Sequence, residues 1–179
     1  MFARIYTDGA SSPHRGNADA GAAAVLLIWA SPGEPLLQSV PTIRTIAKHL
    51  VDSTNNVAEL TGIKLGLDAA YTLNVQHVRV LTDSRYCVGM LTSRPFDGFW
   101  NYFGWAYEAG NNLELISYLR HKLLAFSSFS IEWVPGHADD EYNNLADRLS
   151  VWCKNNRMDH PDNSLAPMHV GIIKQEGAP

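Results

Sequence analysis

Two short stretches of this chain end in the same way. Phe2 to Ser11 reads FARIYTDGAS, and His77 to Tyr86 reads HVRVLTDSRY. Each is an apolar, β-prone run that stops at Thr-Asp. Asp8 and Asp83 therefore stand at the carboxyl ends of two strands, where open α/β sheets gather their functional groups. Asp8-Gly9 alone is also a hairpin signal; the second copy turns the reading toward paired carboxylates. Two strands that deliver an aspartate at the same end would set two carboxylates side by side. A third acid, Glu59, falls in the first turn of a predicted helix. It heads a stripe of Glu59, Gly62, Ile63, Gly66 and Ala70 at helical spacing. If that stripe faces the sheet, Glu59 points toward Asp8 and Asp83. Its plainer alternative is a glutamate that complements the helix dipole. Clustered carboxylates repel one another, and divalent cations would offset that repulsion.

The elements that must position these acids follow in chain order. After the first strand comes a polar loop, SSPHRGNADAG. Gly21 to Ala30 is an apolar run whose small leading residues allow close approach to a neighbour. A Pro-Gly turn follows, and then extended structure to Asp52, broken at Pro41, with Arg44 to Val51 as its core strand. These three strands form an antiparallel meander. Ser53-Thr54-Asn55-Asn56 opens a helix that runs to about Thr72, with Asn56 and Glu59 at capping spacing. Its two glycines cost about 1 kcal/mol each relative to alanine, which a helix face pressed tightly on the sheet would offset. His77 to Thr82 is a fourth strand, and Asp83-Ser84 starts a helix through Thr92.

Phe96 to Tyr107 holds seven aromatic residues, and no Lys or Arg occurs between Phe96 and Leu119. Packing explains such a cluster better than a stacking platform for nucleic acid. Asn111 or Asn112 caps a further helix to about Phe126. Ser128 to Val134 is a fifth strand, with Phe129, Ile131 and Trp133 on one face. Pro135-Gly136-His137 is a loop, and a last helix spans Asn143 to Asn155. Asn143 and Asp147 lie one turn apart on it, while Leu145, Leu149 and Trp152 point inward. The globular domain is expected over residues 1–156, and residues 157–179 form a mobile or loosely docked tail.

Composition narrows the classes. The chain has 179 residues, 46% hydrophobic and 18% charged, which suits one soluble domain. No apolar run has transmembrane length, and no basic region precedes an apolar one at the N-terminus. An intracellular, cytoplasmic protein without membrane contact is expected. The two cysteines, Cys87 and Cys153, lie far apart and suggest neither a disulfide framework nor a zinc site. The net charge of -4 argues against nucleic-acid binding by bulk electrostatics.

Taken together, Tyr6-Thr7-Asp8-Gly9, Asn55-Asn56-x-x-Glu59-Leu60, Thr82-Asp83-Ser84-x-Tyr86, Gly136-His137 and Asn143-x-x-Ala146-Asp147 resemble the motifs of type 1 ribonuclease H. The resemblance covers Phe2 to Asn155, in the family's order. It implies an α/β ribonuclease H-like fold. That fold is a five-stranded mixed sheet flanked by helices, with strands 1–3 antiparallel and strands 1, 4 and 5 parallel. It implies that Asp8, Glu59, Asp83 and Asp147 hold two Mg2+ ions, with Mn2+ able to substitute, for in-line phosphodiester hydrolysis. His137 would assist proton movement or product departure.

The substrate implied is an RNA–DNA hybrid whose RNA strand is cut to leave a 5′ phosphate. Selection for RNA rests on its 2′-hydroxyls. Asn55, Asn56, Arg85 and Asn143 match positions that contact the hybrid, and Thr54 and Asn112 match a pocket for a DNA phosphate. The pocket's usual arginine falls at Asp52, and the family's basic projection has no basic residues here. A monomer is expected, with tethering to a replication or reverse-transcription partner as one way to compensate for those losses. A non-catalytic nucleic-acid-binding scaffold would keep the fold and lose the carboxylates. A resolvase- or transposase-like nuclease would share the fold but lack the Gly-His loop and the Asn-x-x-Ala-Asp helix.

Overall fold

The computed structural model describes residues 1–12, 18–31, 40–92, 110–136 and 139–160. The aromatic stretch Phe96 to Tyr107, His137 and the chain beyond His160 lie outside them. Five strands form one sheet: β1 (Phe2–Ser11), β2 (Ala20–Trp29), β3 (Thr42–Leu50), β4 (His77–Thr82) and β5 (Ser128–Trp133), in the order β3-β2-β1-β4-β5. β1 pairs antiparallel with β2, and β2 with β3. β1 and β4 pair parallel, as do β4 and β5. This is the mixed topology expected from the sequence. Among the described residues four helices flank the sheet: α1 (Asn55–Thr72), α2 (Arg85–Thr92), α3 (Leu113–Leu123) and α4 (Glu141–Asn156). None of them is long and apolar enough to cross a membrane.

The sheet separates two cores. On one side Ile5, Leu26 and Val80 meet Leu60, Ile63 and Leu67 of α1 and Ile116 and Leu119 of α3. On the other, Tyr6, Val25 and Leu27 meet Ala146, Leu149 and Cys153 of α4. Every residue of β2 is buried, because helices cover it on both faces. That is why its sequence is a continuous apolar run and not an alternating one. The Gly62 and Gly66 stripe of α1 does lie on the sheet. A Cβ at Gly62 would stand 2.8 Å from the Ala23 carbonyl oxygen, and one at Gly66 would meet the Ile5 side chain. β5 is an edge strand, so of the three residues expected on one face only Ile131 is buried, while Phe129 and Trp133 are exposed.

Three details differ from the sequence expectation. The α1 cap is Thr54, not Asn56. Its backbone is extended, and its hydroxyl accepts a hydrogen bond from the Val57 amide at 3.3 Å. α4 begins two residues before Asn143, because the Asp140 carboxylate accepts from the amides of Tyr142 and Asn143. Asn112 heads α3 after a 3-10 turn (Gly110–Asn112), but its side chain does no capping and donates to the Tyr86 hydroxyl at 3.0 Å.

The residues after α4 dock on β3. Arg157 takes a left-handed conformation, with φ 55°, and its guanidinium pairs with Asp19 at 2.7 Å. The Asp159 carboxylate accepts from the His49 amide, and the His160 amide donates to the Ala47 carbonyl at 3.2 Å.

Candidate active site

The parallel pairing of β1 and β4 ends at Thr7 opposite Thr82. The next residue on each strand is an aspartate, so one register brings Asp8 and Asp83 to the same level. α1 supplies the third acid. Gly9 makes this possible, because a Cβ there would collide with the Glu59 amide and the Ala58 carbonyl carbon. The first turn of α1 therefore rests directly on the end of β1. Asp8, Glu59 and Asp83 each place a carboxylate oxygen within 4.8 Å of the other two. Asp8 and Glu59 are buried, at 7% and 6% exposure, and Asp83 is half-buried.

Such a group is electrostatically costly. Burial, and then the charges of Asp8 and Asp83, push the Glu59 carboxyl up to about 9. Hydrogen bonds from the Asn55 side chain and the Gly9 amide pull the other way and are outweighed. Glu59 Oε2 is buried with no hydrogen-bond partner. An orphaned buried oxygen facing two further carboxylates is what a cation site leaves when only protein atoms are counted. Three hard oxygen donors fit a divalent cation such as Mg2+ or Mn2+, and they suit a soft metal poorly.

The loop after β5 closes on Asp83. Gly136 lies against the Asp83 carboxylate, where a Cβ would collide with Oδ2. The Trp133 indole donates to the Asp83 backbone carbonyl at 3.0 Å, and the Arg85 guanidinium stacks over the same indole, 4.7 Å from its centroid. Ser84 starts α2 by accepting from the Cys87 amide.

Asp147 stands apart from the group of three. It is half-buried on α4, and Ser150 of the same helix reaches Asp8. The fully buried Ser150 hydroxyl donates to Asp8 Oδ2 and also lies 2.9 Å from the Asp147 carbonyl oxygen. Asn143 is buried on the same helix, and its Oδ1 has no partner.

Thr54, Asn55, Asn56 and Arg85 are exposed around this end of the sheet, and the Thr54 hydroxyl is engaged in the cap. Asn112 lines a pocket with Val57, Lys64 and Tyr118 on the α1–α3 side. The sequence reading did not single out Ser150 or the contact of Gly136 with Asp83. The first carried a faint signal, since Ser150 lies one turn beyond Asp147 on a helix expected to pack inward. Cys87 and Cys153 are buried free thiols, and desolvation pushes them up to about 12 and 11. They stay protonated at neutral pH.

Comparisons with known proteins identify the family. The model of the RNase H family matches residues 3–153. The Ribonuclease H of Anaplasma marginale is 34% identical over 149 residues, covering 82% of this chain and 86% of that one. The Ribonuclease H of Treponema pallidum is 29% identical over 154 residues, covering 82% and 87%. Among solved structures, the N-terminal RNase H domain of a Mycobacterium tuberculosis protein superposes with a TM-score of 0.61 at 27% identity. It covers 87% of this chain and 94% of its own. A type 1 RNase H with the type 2 active-site motif shares the fold with a TM-score of 0.73 at 22% identity, covering 93% and 77%. The carboxylates delivered by β1, α1 and β4 thus sit in a chain that belongs to the RNase H family.

Proposed function

We infer that the protein is a ribonuclease H, a Mg2+-dependent endonuclease that hydrolyses the RNA strand of RNA–DNA hybrids and leaves 5′-phosphate ends. The observation that carries this reading is the group formed by Asp8, Glu59 and Asp83 at one end of the sheet. These three residues, with Asp147, are the ligands for two Mg2+ ions. Ions held there supply the positive charge that activates a water and stabilises the departing oxygen.

The protein's own residues do the rest. Burial of Asp8 and Glu59 keeps bulk water from competing for the ligand oxygens. Gly136 lies directly against the Asp83 carboxylate, and His137, the next residue in the sequence, is assigned the role of moving a proton as the product leaves. Asn55, Asn56 and Arg85 are exposed beside the acids and offer donors to sugar hydroxyls and phosphates. Contact with the 2′-hydroxyl is the feature that separates RNA from DNA. Thr54 and Asn112 grip a DNA-strand phosphate, and Asn143 steadies the substrate beside Asp147.

Asp52 is exposed two residues before Thr54, where a cation would serve that phosphate. Phosphate contacts dominate affinity, so the isolated monomer binds hybrid weakly. It gains from a tether to a partner that makes hybrids, which raises effective concentration.

The test is cleavage of a labelled RNA–DNA hybrid with Mg2+, beside Asp8→Asn and beside duplex RNA and duplex DNA. Cutting confined to the hybrid, and abolished by Asp8→Asn, is the expected result. No cutting at low salt with either Mg2+ or Mn2+ would overturn the reading.

A further inference from the structure

Ser150 joins α4 to the buried acids. It is fully buried, 142 positions from Asp8 in sequence, and its hydroxyl donates to Asp8 Oδ2. The same oxygen lies 2.9 Å from the carbonyl of Asp147, one turn earlier on the helix. A serine inside a helix often hydrogen-bonds a preceding carbonyl, and that habit alone carries no function. Here the single hydroxyl proton is shared with a carboxylate on another element.

The backbone is shaped to allow it. A Cβ at Gly21 of β2 would collide with the Ser150 carbonyl oxygen and stand 2.9 Å from the Lys154 amide. α4 therefore lies directly on β2 at this residue, and that contact sets the depth at which Ser150 reaches β1.

We propose that Ser150 is a positioning residue for the metal site, fixing the Asp8 carboxylate and the height of the helix that carries Asp147. The inference rests on the reading of Asp8 and Asp147 as ligands. One hydrogen bond occupies Asp8 Oδ2 and orients the carboxylate toward Glu59 and Asp83. It also stabilises the ionised form that a cation needs. Hydrogen-bonding partners behind a ligand typically change metal affinity by about 10–100-fold.

Two measurements on the full chain test this. Mg2+ binding without nucleic acid is followed by calorimetry, and the Mg2+ midpoint of hybrid cleavage is followed kinetically. Ser150→Ala is expected to raise both midpoints about tenfold with little change in thermal midpoint, and Ser150→Thr to restore part of the loss. Cys153→Ala, one turn further along the same buried face, controls for packing: it should lower the thermal midpoint and leave both Mg2+ midpoints in place. Ser150→Ala within twofold of wild type in both Mg2+ midpoints would overturn the proposal alone. A wild-type protein that binds no Mg2+ and cuts no hybrid would defeat the underlying reading as well.

Discussion

The acids at the ends of β1, β4 and α1 and the acid on α4 are held by different means. Asp8 and Asp83 are aligned by a strand register, and Glu59 is pressed against them by backbone contact at Gly9. Their geometry is fixed by the main chain. Asp147 rides on a helix that meets the others at the Ser150 hydroxyl and along a packed apolar face. The first three are brought together by main-chain contacts, and the fourth by the packing and side-chain hydrogen bonding of its helix. If the four acids hold two ions as proposed, the group of three would form one half of the site and Asp147 would join the other, with waters and substrate phosphates as the remaining ligands.

The largest break in that comparison comes from removing one acid of each kind. Asp8→Asn is expected to abolish cleavage, a fall of about a thousandfold or more. Asp147→Asn is expected to cost less and to be partly rescued by raising Mg2+ or supplying Mn2+. Initial rates across a metal titration check both, and equal, unrescued losses would mean that the two halves are not distinct.

The next effect is on the scaffold. Gly9→Ala drives a methyl into the α1 backbone, which cannot move without lifting the helix. A loss of roughly 3 kcal/mol or more in denaturant unfolding is expected, within the upper range for single substitutions. Gly136→Ala meets only the end of the Asp83 side chain, which can rotate. It should cost less than about 1 kcal/mol in stability and show itself as weaker Mg2+ binding.

The third effect sharpens the contrast through pH. The Glu59 carboxyl lies at about 9 in the folded protein, against an ordinary value of 4.5. Between those values the unfolded chain gives up a proton that the folded chain keeps. The contribution of Glu59 to the stability of the metal-free protein is therefore fully present below pH 4.5 and is lost as pH rises toward 9, by at most about 1.4 kcal/mol per unit. Thermal midpoints in EDTA should fall from pH 5 to pH 8. Glu59→Gln should flatten that slope, and Mg2+ should do the same while releasing a proton on binding. An unchanged slope in Glu59→Gln would place the charge cost elsewhere.

The parts of this design differ in how plainly they are written in the chain. The repeated Thr-Asp ending announced the Asp8–Asp83 pair, because strand alignment is encoded locally and twice. Glu59 was readable from a stripe whose glycines make sense only against a sheet. The cap of α1 was not, since Thr54, Asn55 and Asn56 all have side chains that can accept, and only the backbone shows which one is extended. Ser150 was hidden because a small residue on a buried helix face says nothing about a partner 142 positions away. The docking of residues 157–160 was hidden for a similar reason: a polar segment without periodicity binds through single hydrogen bonds and one ion pair.

That short docked segment bears on how copies of the protein meet one another. β3 is an outer strand, and a bare outer strand invites pairing with a second molecule. The amide of His160 already occupies the Ala47 carbonyl, Asp159 occupies the amide of His49, and the His160 ring packs edge-on to Trp152. The segment acts as a fender along the sheet. Replacing Arg157 and Asp159 with alanine would loosen that cover and expose a self-templating edge, and the cost would appear as concentration-dependent aggregation before any loss of catalysis.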